Sequence, residues 1–356
     1  MKCFNNIYFG KTVLITGHSG FKGSWMTYWL QQLGAEVIGY SLPPNTKLNH
    51  FELLQLDMVS HFNNICDLDK IQKAIKTSKP DIIFHLAAQP LVRYSYQHPI
   101  ETFHTNIIGT ANVLEAARSC ESVKAIIVIT TDKCYENIEQ NKGYIETDKM
   151  GGYDPYSSSK GCAELVVNSY RNSYFNLNDF QKTHQTLLAS ARAGNVIGGG
   201  DWSLDRLIPD LIKGAVTDKK TIIRYPKSTR PWQHVLEPIS GYLMLGEKLL
   251  ESKVDFASGW NFGPEEKEVL TVEEVLEFSK NIWDKINFEF ETGSNHPHEA
   301  GLLSLNIEKA KNNLGWTPKW NNIKSITKTI EWYKVFYSSS MINTDLDLKN
   351  YINEIY

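Results

Sequence analysis

Three short stretches combine residue types and spacings that allow proton transfer and dinucleotide binding. In "ITTDKCYEN", Ile129 to Asn137, two threonines are followed directly by an acid and a base. Charge at the end of an apolar run of β-formers is costly to bury unless it is paired or used. Asp132 and Lys133 are therefore an acid/base pair or a salt bridge closing a strand. In "YDPYSSSKGCAELV", Tyr156 and Lys160 stand four apart, on one face of a helix that Asp154 caps and Pro155 begins. A neighbouring ammonium favours phenolate, so Tyr156 can exchange a proton near neutral pH; an incidental surface pair is the plain alternative. In "TGHSGFKG", Gly17, Gly20 and Gly23 lie between a strand and a helix. That spacing lets backbone approach a pyrophosphate at the helix N-terminus; a tight turn without ligand is the alternative.

The elements that position these groups follow from the hydrophobic pattern. "TVLIT" (12–16), "EVIGY" (36–40), "PDIIFHLAA" (80–88), "KAIIVIT" (124–130) and "TLLASARA" (186–193) alternate with helical patterns through about Leu33, at 106–118 and from Pro155. Strands that are apolar on both faces and separated by helices predict an α/β fold, a Rossmann-type doubly wound parallel sheet. After Asn195 the alternation gives way to loops carrying Arg, His and Trp, with helical patterns at 236–251, 271–285 and 322–337. This predicts a NAD-binding domain over 1–195 and a smaller C-terminal α/β substrate lobe over 196–345. "WNFGP" (260–264) is expected to return a strand to the first domain.

Bulk properties narrow the function. The 356 residues carry a net charge of −3, so no global basic field points to nucleic acid. Five scattered cysteines without a CxxC pair predict reduced thiols in a cytoplasmic protein, and neither disulfides nor structural zinc. The start runs directly into a strand, so no signal peptide is expected, and no apolar run approaches a bilayer span.

The blocks "TGHSGFKGSW", "HLAAQ", "TNIIGT", the threonine before the YxxxK helix and "RAGNVIGGGD" resemble the extended short-chain dehydrogenase/reductases over about Lys11 to Trp320. Within them, "TTDKCYEN", "RPWQHV" and "HEAGLLSLNIEKAKNNLGW" are similar to the CDP-glucose branch of the nucleotide-sugar 4,6-dehydratases. The resemblance implies NAD held by Gly17, Gly20, Phe21, Gly23, Ser41, Asp67, Leu68, Ala87, Ala88, Asn106, Tyr156 and Lys160. The acid that usually contacts the ribose at the end of the second strand is missing; "GYSLPP" offers Ser41 and Tyr40, and no Arg for a 2′-phosphate. Asp67 reads equally as a helix cap.

The resemblance further implies that Thr131, Tyr156 and Lys160 oxidise a hexose at C4. Asp132 and Lys133 then remove H5 and protonate the departing C6 hydroxyl. Lys133 is a base only when neutral and Asp132 an acid only when protonated, the reverse of their preference in water. Asn195 and Arg230 match substrate positions; Arg206 and His298 are further candidates. Asn195 is otherwise a turn residue, Arg230 a surface cation and Arg206 a solvated helix residue. Trp202 either stacks on the base or is core. Arg93 lies near the same edge. No metal site is expected from His296 and His298, Cys134 reads as a buried thiol, and Tyr153 lacks its lysine. The family implies a homodimer through helices around 105–118 and 156–175. A 4-epimerase of the same fold, or a dinucleotide-sensing scaffold, would lack the acid/base pair or the Tyr–Lys set.

Overall fold

The computed structural model describes residues 3–265, 270–291 and 302–355. Six parallel strands, β1 (Thr12–Thr16), β2 (Glu36–Ser41), β3 (Val59–Phe62), β4 (Ile82–His85), β5 (Ala125–Ile129) and β6 (Leu187–Ala193), form one sheet with a seventh, Gly259–Phe262. From one edge the order is Gly259–Phe262, β6, β5, β4, β1, β2, β3. The central strands are covered on both faces, whereas the edge strand β3 leaves Val59 and Phe62 exposed. Val13, Ile15, Phe84, Ile127 and Ala189 face one core cluster, and the alternate residues Leu14, Ile83, Ile126 and Leu188 face another. The first cluster is completed by Trp25 and Trp29 of the Phe21–Gln32 helix and by the Leu236–Leu250 helix. The second is completed by Ile71, Val113, Leu114 and Val167. Val113 and Leu114 thus pack on the sheet.

Strand β1 pairs with β2 on one side and β4 on the other, so the crossovers diverge there. Open α/β sheets bind ligands in the crevice outside such a switch point. The stretches singled out in the sequence emerge at this carboxyl edge: the glycine turn after β1, Ser41 at the end of β2, Ala87 and Ala88 after β4, Thr131 to Lys133 after β5, and Asn195 after β6. Three two-stranded ladders lie beyond: Val196–Ile197 with Gln233–His234, Thr221–Ile223 with Phe288–Phe290, and Thr229–Arg230 with Leu270–Thr271.

The chain end holds a helix that the sequence pattern did not mark, Thr344–Ile355. Leu348 and Tyr351 bury it against the first cluster, with Tyr351 edge-on to Trp29. Among the described residues no helix is long and apolar enough to cross a membrane.

Candidate active site

A cavity of about 1340 Å³ runs along the carboxyl edge of the sheet. At one end lies the glycine turn. Gly17 has φ +77°, and a Cβ there would stand 2.7 Å from the backbone nitrogen of Ala87. A Cβ on Gly23 would collide with the Gly17 carbonyl oxygen. Gly20 caps the Phe21–Gln32 helix without any side-chain hydrogen bond, which leaves the first N–H groups for an anion. Turn and helix end fit a dinucleotide diphosphate, with Gly17, Gly20, Phe21 and Gly23 all lining the cavity.

At the end of β2, Ser41 Oγ lies 2.8 Å from Ser19 Oγ and 2.9 Å from the Leu42 carbonyl. A hydroxyl pair thus stands where an acid would otherwise meet the ribose. Ala87 and Ala88 also line the cavity, but Asp67 and Leu68 do not; residues 63–66 do. The Asp67 carboxylate caps the Leu68–Ser78 helix, accepting from the Lys70 backbone N–H at 3.1 Å, and pairs with Lys70 Nζ. Asn106 is also set back from the cavity wall. It is buried, donates to the Gln89 carbonyl and to Ser159 Oγ, and accepts from the Gln89 backbone N–H. Its bonds tie the loop after β4 to the YxxxK helix.

At the other end Thr131, Asp132, Lys133, Tyr156 and Lys160 line one stretch of wall. Asp154 caps the Pro155–Ser173 helix, accepting from the Ser157 backbone N–H at 2.9 Å, so the first turn presents Tyr156 to the crevice. Lys160 Nζ donates to the Ile129 carbonyl at 3.3 Å. Burial pulls this ammonium down to about 8, against the pull of Glu164. Burial likewise pushes the Tyr156 phenol up to about 12, outweighing the opposing influence of Thr131. The protein groups alone therefore keep Tyr156 protonated at neutral pH, which differs from the expectation drawn from its spacing to Lys160. The reason is burial, which strips the phenol of the water that would solvate its anion.

Thr131 Oγ1 donates to Asp132 Oδ1 at 2.8 Å. Asp132 is 2% exposed, and its Oδ2 has no hydrogen-bond partner among the described residues. Among the described residues no ion pair joins Asp132 to Lys133, so the strand-end salt bridge is not the geometry adopted.

Asn195, Arg206 and Arg230 line the same cavity, and Asn195 adopts φ +45°. Arg206 is partly exposed, pairs with Asp201 at 2.8 Å and acts electrostatically on the Tyr156 phenol. Arg93 reaches the wall and pairs with Asp205 at 3.3 Å. Trp202 packs against Trp332, Tyr333 and Phe336 and closes one edge of the cavity. Cys134 is fully buried, and burial raises its thiol well above the ordinary range. His298 lies outside the described residues.

A family model described as GDP-mannose 4,6 dehydratase matches residues 14–329. The chain belongs to that family. It is 47% identical over 333 residues to the CDP-glucose 4,6-dehydratase of Salmonella typhimurium, covering 93% of this chain and 92% of that protein. The human dTDP-D-glucose 4,6-dehydratase is 27% identical, over 92% of this chain and 91% of its own length. Among solved structures, the Bacillus anthracis dTDP-glucose 4,6-dehydratase in complex with NAD superposes with a TM-score of 0.75 at 22% identity, covering 93% of this chain and 98% of the other.

Several groups in this member of the GDP-mannose 4,6 dehydratase family escape a reading of motifs. Lys22 sits between glycines of the turn and enters the cavity, with Nζ 3.3 Å from the Tyr242 hydroxyl. Burial, with Lys160 and Arg206 adding, pulls it down to about 7. Asp201 orients Arg206, and "GGGD" in the sequence was the only hint of it. Arg224 also lines the cavity. Gly194 lies against Asp132: a Cβ there would collide with Oδ2. No local signal marks that contact.

Proposed function

We propose that the protein is an NAD-dependent hydro-lyase converting CDP-D-glucose to CDP-4-dehydro-6-deoxy-D-glucose. The reading is carried by one observation: an acid and an amine, unpaired with each other, stand beside Thr131 on the wall that also presents Tyr156 and Lys160. An epimerisation at C4 would need the Tyr–Lys set alone. The 47% identity to a CDP-glucose 4,6-dehydratase supports the same substrate.

NAD, when bound, supplies the acceptor that takes hydride from C4 and later returns it to C6. Gly17, Gly20, Phe21 and Gly23 would hold its diphosphate, Ser41 would meet its ribose, and Ala87 and Ala88 shape the wall. Asp67, Leu68 and Asn106 act from behind that wall. Tyr156 takes the O4 proton, Thr131 binds O4 and Lys160 fixes the phenol's surroundings. The C4 ketone acidifies H5, which neutral Lys133 removes while Asp132 protonates the leaving C6 hydroxyl. The proton on Lys133 then returns to C5. Asn195, Arg206, Arg230 and His298 serve the sugar diphosphate, whose charge suits guanidinium forks.

The two-part division, 1–195 for the cofactor and 196–345 mainly for the substrate, belongs to this proposal. So does a homodimer, supported by the exposed Ile108 and Leu165 on the helices concerned. Cytoplasmic residence accords with five free cysteines.

CDP-, dTDP-, GDP- and UDP-hexoses incubated with enzyme and NAD and analysed by mass spectrometry test the activity. CDP-glucose should lose one water; an isomer of unchanged mass would instead indicate an epimerase. Lys133→Met should still form NADH transiently but lose about 100-fold or more in dehydration, the scale of a removed general base. Undiminished water loss in that variant defeats the assignment of the base.

A further inference from the structure

The proposed function names a nucleotide sugar without naming the side chain that reads its base. A hexose whose C4 meets Tyr156 and whose C6 meets Asp132 places its diphosphate and nucleoside further along the cavity, away from the cofactor. None of the residues that would hold NAD comes from the Leu207–Thr217 helix or the Thr221–Ile223 strand, yet both elements line the cavity. The two elements touch: the Thr221 hydroxyl donates to the Asp210 backbone carbonyl at 3.2 Å. Leu207, Pro209, Ile223 and Val272 give this part of the wall an apolar surface of the kind a flat ring packs on.

Asp210 and Arg224 stand in this surface with open hydrogen-bonding groups. The Asp210 carboxylate is half-buried, lines the cavity and makes no hydrogen bond or ion pair among the described residues. Burial and the neighbouring Asp205 push its carboxyl up to about 6, against the pull of Lys213 and Arg93. Arg224, next after the Thr221–Ile223 strand, also lines the cavity, and its Nη1 is buried without a partner among the described residues. An acceptor and a donor left open on an apolar wall are costly unless a ligand completes them.

Their chemistry matches one pyrimidine better than the others. Cytosine presents its N4 amino group as a donor, with N3 and O2 as acceptors. Uracil and thymine present an acceptor, O4, where cytosine has the amino group. A carboxylate accepts from N4 and repels O4. A guanidinium donates to O2 in all three.

We propose that Asp210 reads the cytosine base of the substrate by accepting from its N4 amino group, while Arg224 donates to the O2 that all pyrimidines share. This rests on the dehydratase function proposed above and assigns the residue that sets its nucleobase. Asp210 excludes UDP- and dTDP-sugars by facing their O4 with an unpaired negative charge, and Arg224 adds affinity without choosing among them. The base is unchanged by the reaction, so the contact acts on bound substrate and transition state alike and governs which ligand is held.

The test uses NAD-loaded enzyme titrated by calorimetry with CDP, with UDP and with the diphosphate of the pyrimidin-2-one riboside, which keeps O2 and N3 but lacks the amino group. Wild-type enzyme should bind CDP about 10- to 100-fold more tightly than either of the others, the discrimination that a well-placed base contact supplies. Asp210→Asn, whose amide can donate to O4 as well as accept from N4, should erase most of the preference for CDP over UDP. Arg224→Met should weaken CDP and UDP alike and leave their ratio in place. Wild-type enzyme that binds the amino-free analogue as tightly as CDP overturns the proposal, and that measurement needs no variant to fold. So does an Asp210→Asn enzyme that keeps the full preference, or a preference that moves with Arg224 and not with Asp210. Binding is read without turnover. A wild-type enzyme that holds CDP selectively but removes no water from CDP-glucose therefore refutes the function and not the reading of the base, so the two failures are distinct.

Discussion

At Gly194 the absence of one methyl group decides where the carboxylate proposed as the acid can stand. Asp132 Oδ2 occupies the space a Cβ would need. Gly194→Ala therefore pushes Asp132 off the wall and away from the hexose. A shift of this size costs about 100-fold in turnover. The expected result is a fall in kcat with NAD binding, read by protein fluorescence, unchanged, because the glycine turn is untouched. Unaltered kcat would mean that Asp132 tolerates displacement. The sequence displayed Thr131, Asp132, Lys133, Tyr156 and Lys160 plainly, since each lies within a few residues of its partner or at helical spacing. It could not display Gly194, whose importance arises from contact with a residue on another strand end.

The element that aims Tyr156 and Lys160 is the Pro155–Ser173 helix, and it is pinned to the sheet by a buried ion pair. Glu164 receives Arg192 Nε at 3.0 Å and Nη2 at 2.8 Å, together with the hydroxyls of Thr130 and Ser190. Arg192 also donates to the Tyr135 hydroxyl and the Glu146 carbonyl. Glu164 lies one turn beyond Lys160 and favours its charged form. Arg192→Leu strands a carboxylate in the core and should lower unfolding stability in urea by about 3–5 kcal/mol. A paired Glu164→Leu/Arg192→Leu change should recover much of that loss, because replacing both charges also removes the desolvation cost. A double variant less stable than the sum of its parts would contradict this account. The helix itself was readable from Asp154, Pro155 and its spacing; its anchor was not, because Arg192 looks like any residue of β6.

Over the whole molecule, the chain end is clamped back onto the Leu236–Leu250 helix. Glu237 accepts from the backbone N–H groups of Lys319 and Trp320 and from the Tyr351 hydroxyl at 2.7 Å. Burial raises its carboxyl from an ordinary 4.5 to about 7, and burial raises Asp347 from 3.8 to about 7 despite Lys328. The folded state thus keeps two protons where the unfolded chain has released them. Stability from these groups is complete below about pH 4 and is lost as pH rises to about 7. Urea midpoints at about pH 5 and about pH 8 should therefore differ more in the wild type than in Glu237→Gln/Asp347→Asn; equal slopes would refute the clamp's titration. The amino-acid sequence by itself determined the parallel sheet, the glycine turn and the Tyr–Lys helix, because periodicity, caps and short spacings act within one element. Tertiary structure alone decided that Lys22 meets Tyr242, 220 residues away, that Asp67 and Asn106 stand back from the cavity wall, and that Gly194 lies against Asp132. Those outcomes depend on how strand ends are brought side by side, and no local pattern encodes that distance.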